Sequence, residues 1–213
     1  MSHDYHGTLR KEILSLIPEK VERVLDVGCG TGKTVLWLKE MKSCTWTAGV
    51  ELVPSAAAVA RTKLDAVYEG NIEQLELPIE KSSLDLILCL DILEHLVDPW
   101  TVTRRLQELL KPGGALIASL PNIGSKRVLI PLVLKGEWKY EEWGILDKTH
   151  LRFFARKNAR ELLTSAGLAV DKVEVTGGFT RGWHGSVLKK VLPESLKSFF
   201  VRQYILRGIK KID

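Results

Sequence analysis

Apolar positions along this chain switch between two periods. Leu9, Ile13, Leu16 and Ile17 recur at helical spacing before Pro18, which predicts a leading helix. Residues 23–27 are apolar almost throughout and run into a glycine cluster, as a buried strand does. A helix is expected over 33–42, a strand over 45–50 ending at Glu51, an alanine-rich helix over 54–65 and a short strand over 66–70. Leu84 to Leu90 is near-continuous in apolar character and reads as a central strand. A helix at 99–110, a turn at Lys111-Pro112-Gly113-Gly114 and a strand at 115–120 follow. A helix at 155–166 capped by Gly167, a strand at 168–175 and an alternating strand at 201–207 complete the pattern. Strands separated by helices predict an α/β domain around a largely parallel sheet.

Two stretches break the rhythm. Residues 121–154 are too long for a plain connection. They hold an apolar patch, Val128 to Leu134, followed by Trp138, Tyr140 and Trp143, and they read as an acceptor-binding insertion over the carboxyl edge of the sheet. Residues 186–196 form a broken basic helical pattern.

Composition changes this picture little. With 213 residues, 45% hydrophobic and 27% charged, the chain suits one soluble domain over 1–213. Cys29, Cys44 and Cys89 share no metal-ligand spacing, so reduced thiols and no bound metal are expected. No secretory or membrane-spanning pattern is apparent, and a cytoplasmic protein is the expectation. The net charge of +5 is uneven: residues 179–213 carry 8 Lys+Arg against 2 Asp+Glu. A basic end fits a solvated face or peripheral contact with an anionic membrane surface. It is joined to no RNA-binding module, so nucleic acid is not an expected partner. Oligomeric state is unreadable.

The chemistry centres on Val24 to Thr34, where a strand runs through Gly28, Gly30 and Gly32 into a helix. Such a turn lets a ligand approach the main chain. A nucleoside triphosphate, a dinucleotide and S-adenosylmethionine compete for it. A P-loop needs four residues between its first glycine and Gly-Lys-Thr, and Gly28 to Gly32 leaves three. The dinucleotide fingerprint wants a glycine at position 33, which is lysine. Asp26, two residues before the first glycine, suits a cationic or hydroxylated ligand and repels phosphate. Glu51, at the end of the second strand, can accept both hydroxyls of a ribose.

Leu25-Asp26-Val27-Gly28-Cys29-Gly30-Thr31-Gly32 resembles the first motif of the class I S-adenosylmethionine-dependent methyltransferases, small-molecule type. Asp91-Ile92-Leu93-Glu94-His95 through Pro99 is similar to the motif after their fourth strand, and Thr149-His150-Leu151-Arg152-Phe153 to a run in methyltransferases of glycan and other small-molecule pathways. Lys111 to Gly114 matches a fold marker of the family. The resemblance implies a Rossmann-like three-layer sandwich with strand order 3-2-1-4-5-7-6 and strand 7 antiparallel. It implies S-adenosyl-L-methionine as cofactor, with S-adenosyl-L-homocysteine as product. The cofactor contacts would come from Arg10, as in the quinone-type O-methyltransferases, where an arginine meets the cofactor's carboxylate, from Asp26, Gly28, Cys29 and Gly30, from Glu51 with Leu52, from Asn71 and Ile72 beside adenine, and from Asp91 and Ile92.

O-methylation of a small-molecule hydroxyl, on a glycan, quinone-like or lipid-linked acceptor, is the function this implies. His150 would then be either the catalytic base or a scaffold of its loop, and a histidine titrating near neutrality can take a hydroxyl's proton. An NAD-dependent oxidoreductase would use the glycines and Glu51 similarly but leaves Asp26 unexplained. A non-catalytic cofactor-binding protein would keep the same motifs.

Overall fold

A computed structural model describes residues 8–177 and 193–212. Its centre is a seven-stranded sheet of β1 (Arg23–Val27), β2 (Trp46–Glu51), β3 (Ala66–Glu69), β4 (Leu84–Leu90), β5 (Leu110–Pro121), β6 (Leu168–Gly177) and β7 (Val201–Lys210). The order is β3-β2-β1-β4-β5-β7-β6. The five strands from β3 to β5 run parallel, while β7 lies antiparallel to both β5 and β6. The expected topology is the observed one.

The near-continuous apolar strands follow from burial on both faces. Leu25, Val27, Ile87, Cys89, Leu116 and Ala118 face one core, where α3 (Pro99–Leu109) adds Val102 and Leu106 and α5 (Arg156–Ser165) adds Ala159, Leu162 and Leu163. Val24, Leu86, Leu88, Ala115 and Ile117 face the other core. There α1 (Lys33–Lys42) contributes Val35 and Leu38, and α2 (Pro54–Ala60) contributes Ala60. This is the expected three-layer sandwich.

Several elements differ from expectation for local reasons. The leading segment is a 3-10 helix, Lys11–Leu16. Its fully buried residues, Ile13 and Leu16, are three apart, the spacing that a three-residue turn stacks. The second helix stops at Ala60 rather than 65, and the chain then turns so that Leu64 packs against Gly32. Lys111 to Gly114 is not a turn ahead of β5 but a bulge inside it: Leu84 pairs with Leu110 and Leu86 with Ala115. Gly113 takes φ +78° there.

The insertion at 121–154 contains α4 (Lys126–Lys135), with Pro131 inside it. Val128 is buried, whereas Ile130, Leu132, Val133 and Leu134 are exposed. Both ends of the insertion are tied down. Asn122 donates through its side chain to the Ser198 and Val201 carbonyls, and the Ile123 amide donates to the Phe154 carbonyl at 3.0 Å. Of the basic helix expected at 186–196, residues 186–192 lie outside the described residues, as do three of the eight basic residues of 179–213; Glu194–Lys197 forms α6, a single turn. No helix among the described residues is long and apolar enough to cross a membrane.

Gly49 in β2 faces the Cys29 side chain so closely that an added Cβ would lie 2.9 Å from the cysteine Cβ and nearer still to its sulfur. Gly49→Ala is expected to lower the unfolding free energy by about 1–3 kcal/mol through overpacking in urea titration, and pairing it with Cys29→Gly, which removes both clashing atoms, should restore part of the loss.

Candidate active site

The crevice outside the carboxyl ends of β1 and β4 is where the sheet order reverses, and open α/β sheets bind ligands there. The glycine turn forms its floor. Gly28, Gly30 and Gly32 have φ of +78°, +54° and +75°, conformations that side chains resist. The Gly28 and Cys29 amides donate to the Val50 carbonyl at 2.8 and 3.0 Å, which locks the turn onto β2. Ile92 lies over Gly28: an added Cβ there would sit 3.3 Å from Ile92 Cδ1.

Carboxylates gather at this edge. Glu51 accepts from the Gly30 amide at 2.8 Å and from the Val53 amide at 2.9 Å, so both oxygens are oriented and each keeps acceptor capacity for a ligand hydroxyl. Asp26 is 4% exposed. Burial, opposed by Arg10 and reinforced by Glu51, pushes its carboxyl from 3.8 up to about 7.

Asp91, just past β4, takes φ +56°, a left-handed conformation that aspartate tolerates better than most residues. Three side chains hold it. Arg10 and Gln203 donate to its carboxylate, and Ser119 Oγ donates to Oδ1 at 2.7 Å while accepting from the Asp91 amide at 3.0 Å. Burial would lower the Arg10 guanidinium, but the Asp91 and Glu12 carboxylates more than offset this and hold it above its ordinary value. Arg10 therefore reaches the cleft already shared between two acids. Gln203 and Ser119 were not anticipated. A serine ending the apolar run of β5 is a readable signal in hindsight, whereas Gln203 has none, because only the pairing of Pro121 with Gln203 brings β7 beside β4's end.

Four expected contacts receive different placements. Cys29 is buried behind the turn, and burial raises its thiol further. Leu52 is 64% exposed, next to Glu51 at the rim. Asn71 accepts from the Glu73 amide at 2.9 Å through its side chain, and Ile72 packs into the core.

His150 meets two residues of the fourth-strand motif. Its ring centroid is 4.7 Å from that of His95, edge to face, and its Nε2 is 3.9 Å from Glu94 Oε1. His150 Nδ1 lies 3.1 Å from the Ile145 carbonyl, and His95 Nδ1 lies 3.2 Å from the Thr149 carbonyl. A carbonyl only accepts, so Nδ1 is the donor in both rings, and in the neutral imidazole the lone pair falls on Nε2. Burial and the facing His95 ring push His150 below its usual range. Glu94 is 1% exposed, and burial together with the Asp91 charge pushes its carboxyl well above the usual range. The Glu94 carbonyl accepts from the Leu151 and Arg152 amides at 2.9 and 3.0 Å, which docks the histidine loop against the end of β4. Trp138 and Phe153 extend the aromatic surface, with centroids 5.4 Å apart, and Phe153 lies 6.4 Å from His150.

A family model described as a methyltransferase domain matches residues 1–173, and the chain belongs to that family. Its sheet order and glycine turn are those of the class I fold of that family, whose cofactor is S-adenosyl-L-methionine. It is similar to the ubiquinone biosynthesis O-methyltransferases of Acinetobacter baylyi, 29% identical over 118 residues, and Albidiferax ferrireducens, 31% identical over 124 residues. Those alignments cover 53% and 55% of this chain and 49% and 48% of the relatives, so the chain spans about half the length of the curated relatives it matches. A solved S-adenosylmethionine-dependent methyltransferase from Archaeoglobus fulgidus shares the fold, with a TM-score of 0.68, 19% identity, and 93% of this chain and 91% of that one covered.

Asp26 generates a pH test. The native state keeps its proton where the unfolded chain has lost it, so its contribution is complete below about pH 4, declines as pH rises towards 7, and is flat above. Asp26→Asn should remove this decline, and urea titrations at pH 4.5 and 8 should differ by up to about 3 kcal/mol less in the variant than in the wild type.

Proposed function

We propose that this protein transfers the methyl group of S-adenosylmethionine to a hydroxyl of a small, largely apolar or aromatic acceptor. The observation that carries this is the meeting of two sites at the end of β4: an edge of carboxylates suited to a sulfonium cation, and, directly beside it, a pair of imidazoles flanked by aromatic rings. Asp26, Glu51 and Asp91 favour a cation and disfavour a pyrophosphate, which argues against a dinucleotide. In this reading Glu51 takes the ribose hydroxyls, Leu52 lies against the adenine, and Arg10 exchanges part of its contact with Asp91 for the cofactor's carboxylate. The names of the curated relatives support oxygen as the methylated atom.

Methyl transfer is an in-line displacement at the methyl carbon: the acceptor oxygen bonds to it as its bond to the sulfonium sulfur breaks, and the leaving thioether is neutral. Alignment of acceptor oxygen, methyl and sulfur therefore carries most of the demand on the protein. The acceptor hydroxyl must still lose its proton. His150 supplies the lone pair for it in the ion-free protein, with Nδ1 fixed by the Ile145 carbonyl so that Nε2 points away from its own backbone partner. The exposed apolar side of α4 and the rings of Trp138, Tyr140 and Phe153 supply the acceptor's binding surface.

S-adenosylhomocysteine should raise the melting temperature in a thermal-shift titration and NAD should not; the reverse would overturn the cofactor assignment. Glu51→Ala is expected to weaken S-adenosylhomocysteine binding by about 1–3 kcal/mol in calorimetry. His150→Ala should keep that affinity within about twofold while lowering kcat for a phenolic acceptor by about a hundredfold. A variant turning over at the wild-type rate would return His150 to a scaffold role.

A further inference from the structure

We propose that Glu94, His95 and His150 form a binding site for one first-row divalent transition-metal ion at the acceptor end of the cleft. Each of the three side chains offers one ligand atom, and these atoms lie within 4.8 Å of one another. Two imidazoles and one carboxylate make up the donor set that first-row divalent ions occupy with open positions left for other ligands.

Three further features are those of a prepared ligand set. Both imidazoles are anchored at Nδ1 on a backbone carbonyl, His95 on Thr149 and His150 on Ile145. Those hydrogen bonds fix the tautomer and present Nε2 as the ligand. Glu94 is the third feature. Both of its carboxylate oxygens are buried, and among the described residues neither has a hydrogen-bond partner. A buried carboxyl without partners is costly, and a divalent cation compensates it as His150, 3.9 Å away, does not. The ligands belong to two parts of the chain, the turn after β4 and the loop ending at His150, which the Glu94 carbonyl holds together. His95 is only partly buried and opens the cluster to solvent, which gives an ion a way in.

Metal–ligand bonds of about 2.0–2.2 Å require donor atoms about 3.3 Å apart in a tetrahedral site, so the histidine loop would close by roughly 1.5 Å on loading. The nitrogen ligands favour zinc, cobalt or nickel over magnesium and calcium, which take oxygen. Three protein ligands leave at least one position for the acceptor's hydroxyl. Coordination there lowers the hydroxyl's pKa, so its proton leaves to solvent and the His150 lone pair serves as ligand rather than as base. The consequence for catalysis rests on the methyl-transfer reading; the ion site does not.

The test uses the full chain, stripped with a chelator and titrated with Zn2+ in a calorimeter and with Co2+ by visible absorption. S-adenosylhomocysteine binding is measured on the same samples. The wild type should bind about one ion per chain, and His95→Ala and Glu94→Gln should each weaken binding by about a hundredfold or more while S-adenosylhomocysteine still binds. Extended X-ray absorption fine structure on zinc-loaded wild type counts the imidazole ligands without any variant, and two are expected. No stoichiometric binding, equal binding in both variants, or fewer than two imidazoles would overturn the proposal. Ion binding without S-adenosylhomocysteine binding would overturn the methyl-transfer reading and leave this one standing.

Discussion

The cleft depends on Asp91. It is the residue at which the central strand stops and the chain turns into a left-handed conformation, and its carboxylate joins four parts of the molecule that are far apart in sequence. Arg10 draws in the leading segment, Ser119 the end of β5 and Gln203 the start of β7, while the aspartate itself ends β4. The backbone strain at such a position costs about 1–3 kcal/mol and persists only where surrounding contacts over-determine it. Here three side-chain donors do so. The same ties bring the leading segment across the glycine turn, where the Arg10 amide donates to Thr34 in the first turn of α1.

Charge is concentrated where it destabilises the fold. Asp26, Glu51 and Glu94 are all buried at or beside one sheet edge, and the partial compensation comes from Arg10 and from backbone amides. A domain selected for stability alone would place apolar residues there, since buried carboxyls without full pairing are unfavourable. The arrangement makes sense when a cation completes it. A sulfonium cofactor is one such cation.

The histidine side of the cleft is built differently. The histidine loop has little regular structure and is positioned by main-chain hydrogen bonds to Glu94 and by ring contacts among His95, His150 and Phe153. In the same insertion α4 presents Ile130, Leu132, Val133 and Leu134 to solvent. The two sides of the cleft thus follow separate rules: rigid strand ends and a glycine turn on one, a loop docked by main-chain bonds on the other.

Much of the cofactor half was legible in the residues themselves. The spacing of Gly28, Gly30 and Gly32, the acid two residues ahead of them and Glu51 at the end of β2 are local features, because a strand, a tight turn and a helix start are local structures. Apolar runs identified the central strands for the same reason: burial on both faces leaves a mark on every position. The 3-10 form of the leading segment, the bulge at Lys111 to Gly114 and the early stop of α2 were not legible, since tertiary contacts at Ile13, Leu84 and Leu64 decide them. Nor were Gln203 as a partner of Asp91, or Glu94, His95 and His150 as a single cluster. Cysteine spacing argued against a metal because sequence spacing reports only ligands close along the chain. The sequence by itself determined the sheet, the turn and the cofactor; the tertiary structure alone decided which distant side chains meet at the end of β4, because those contacts arise from strand order and loop docking that no local pattern encodes.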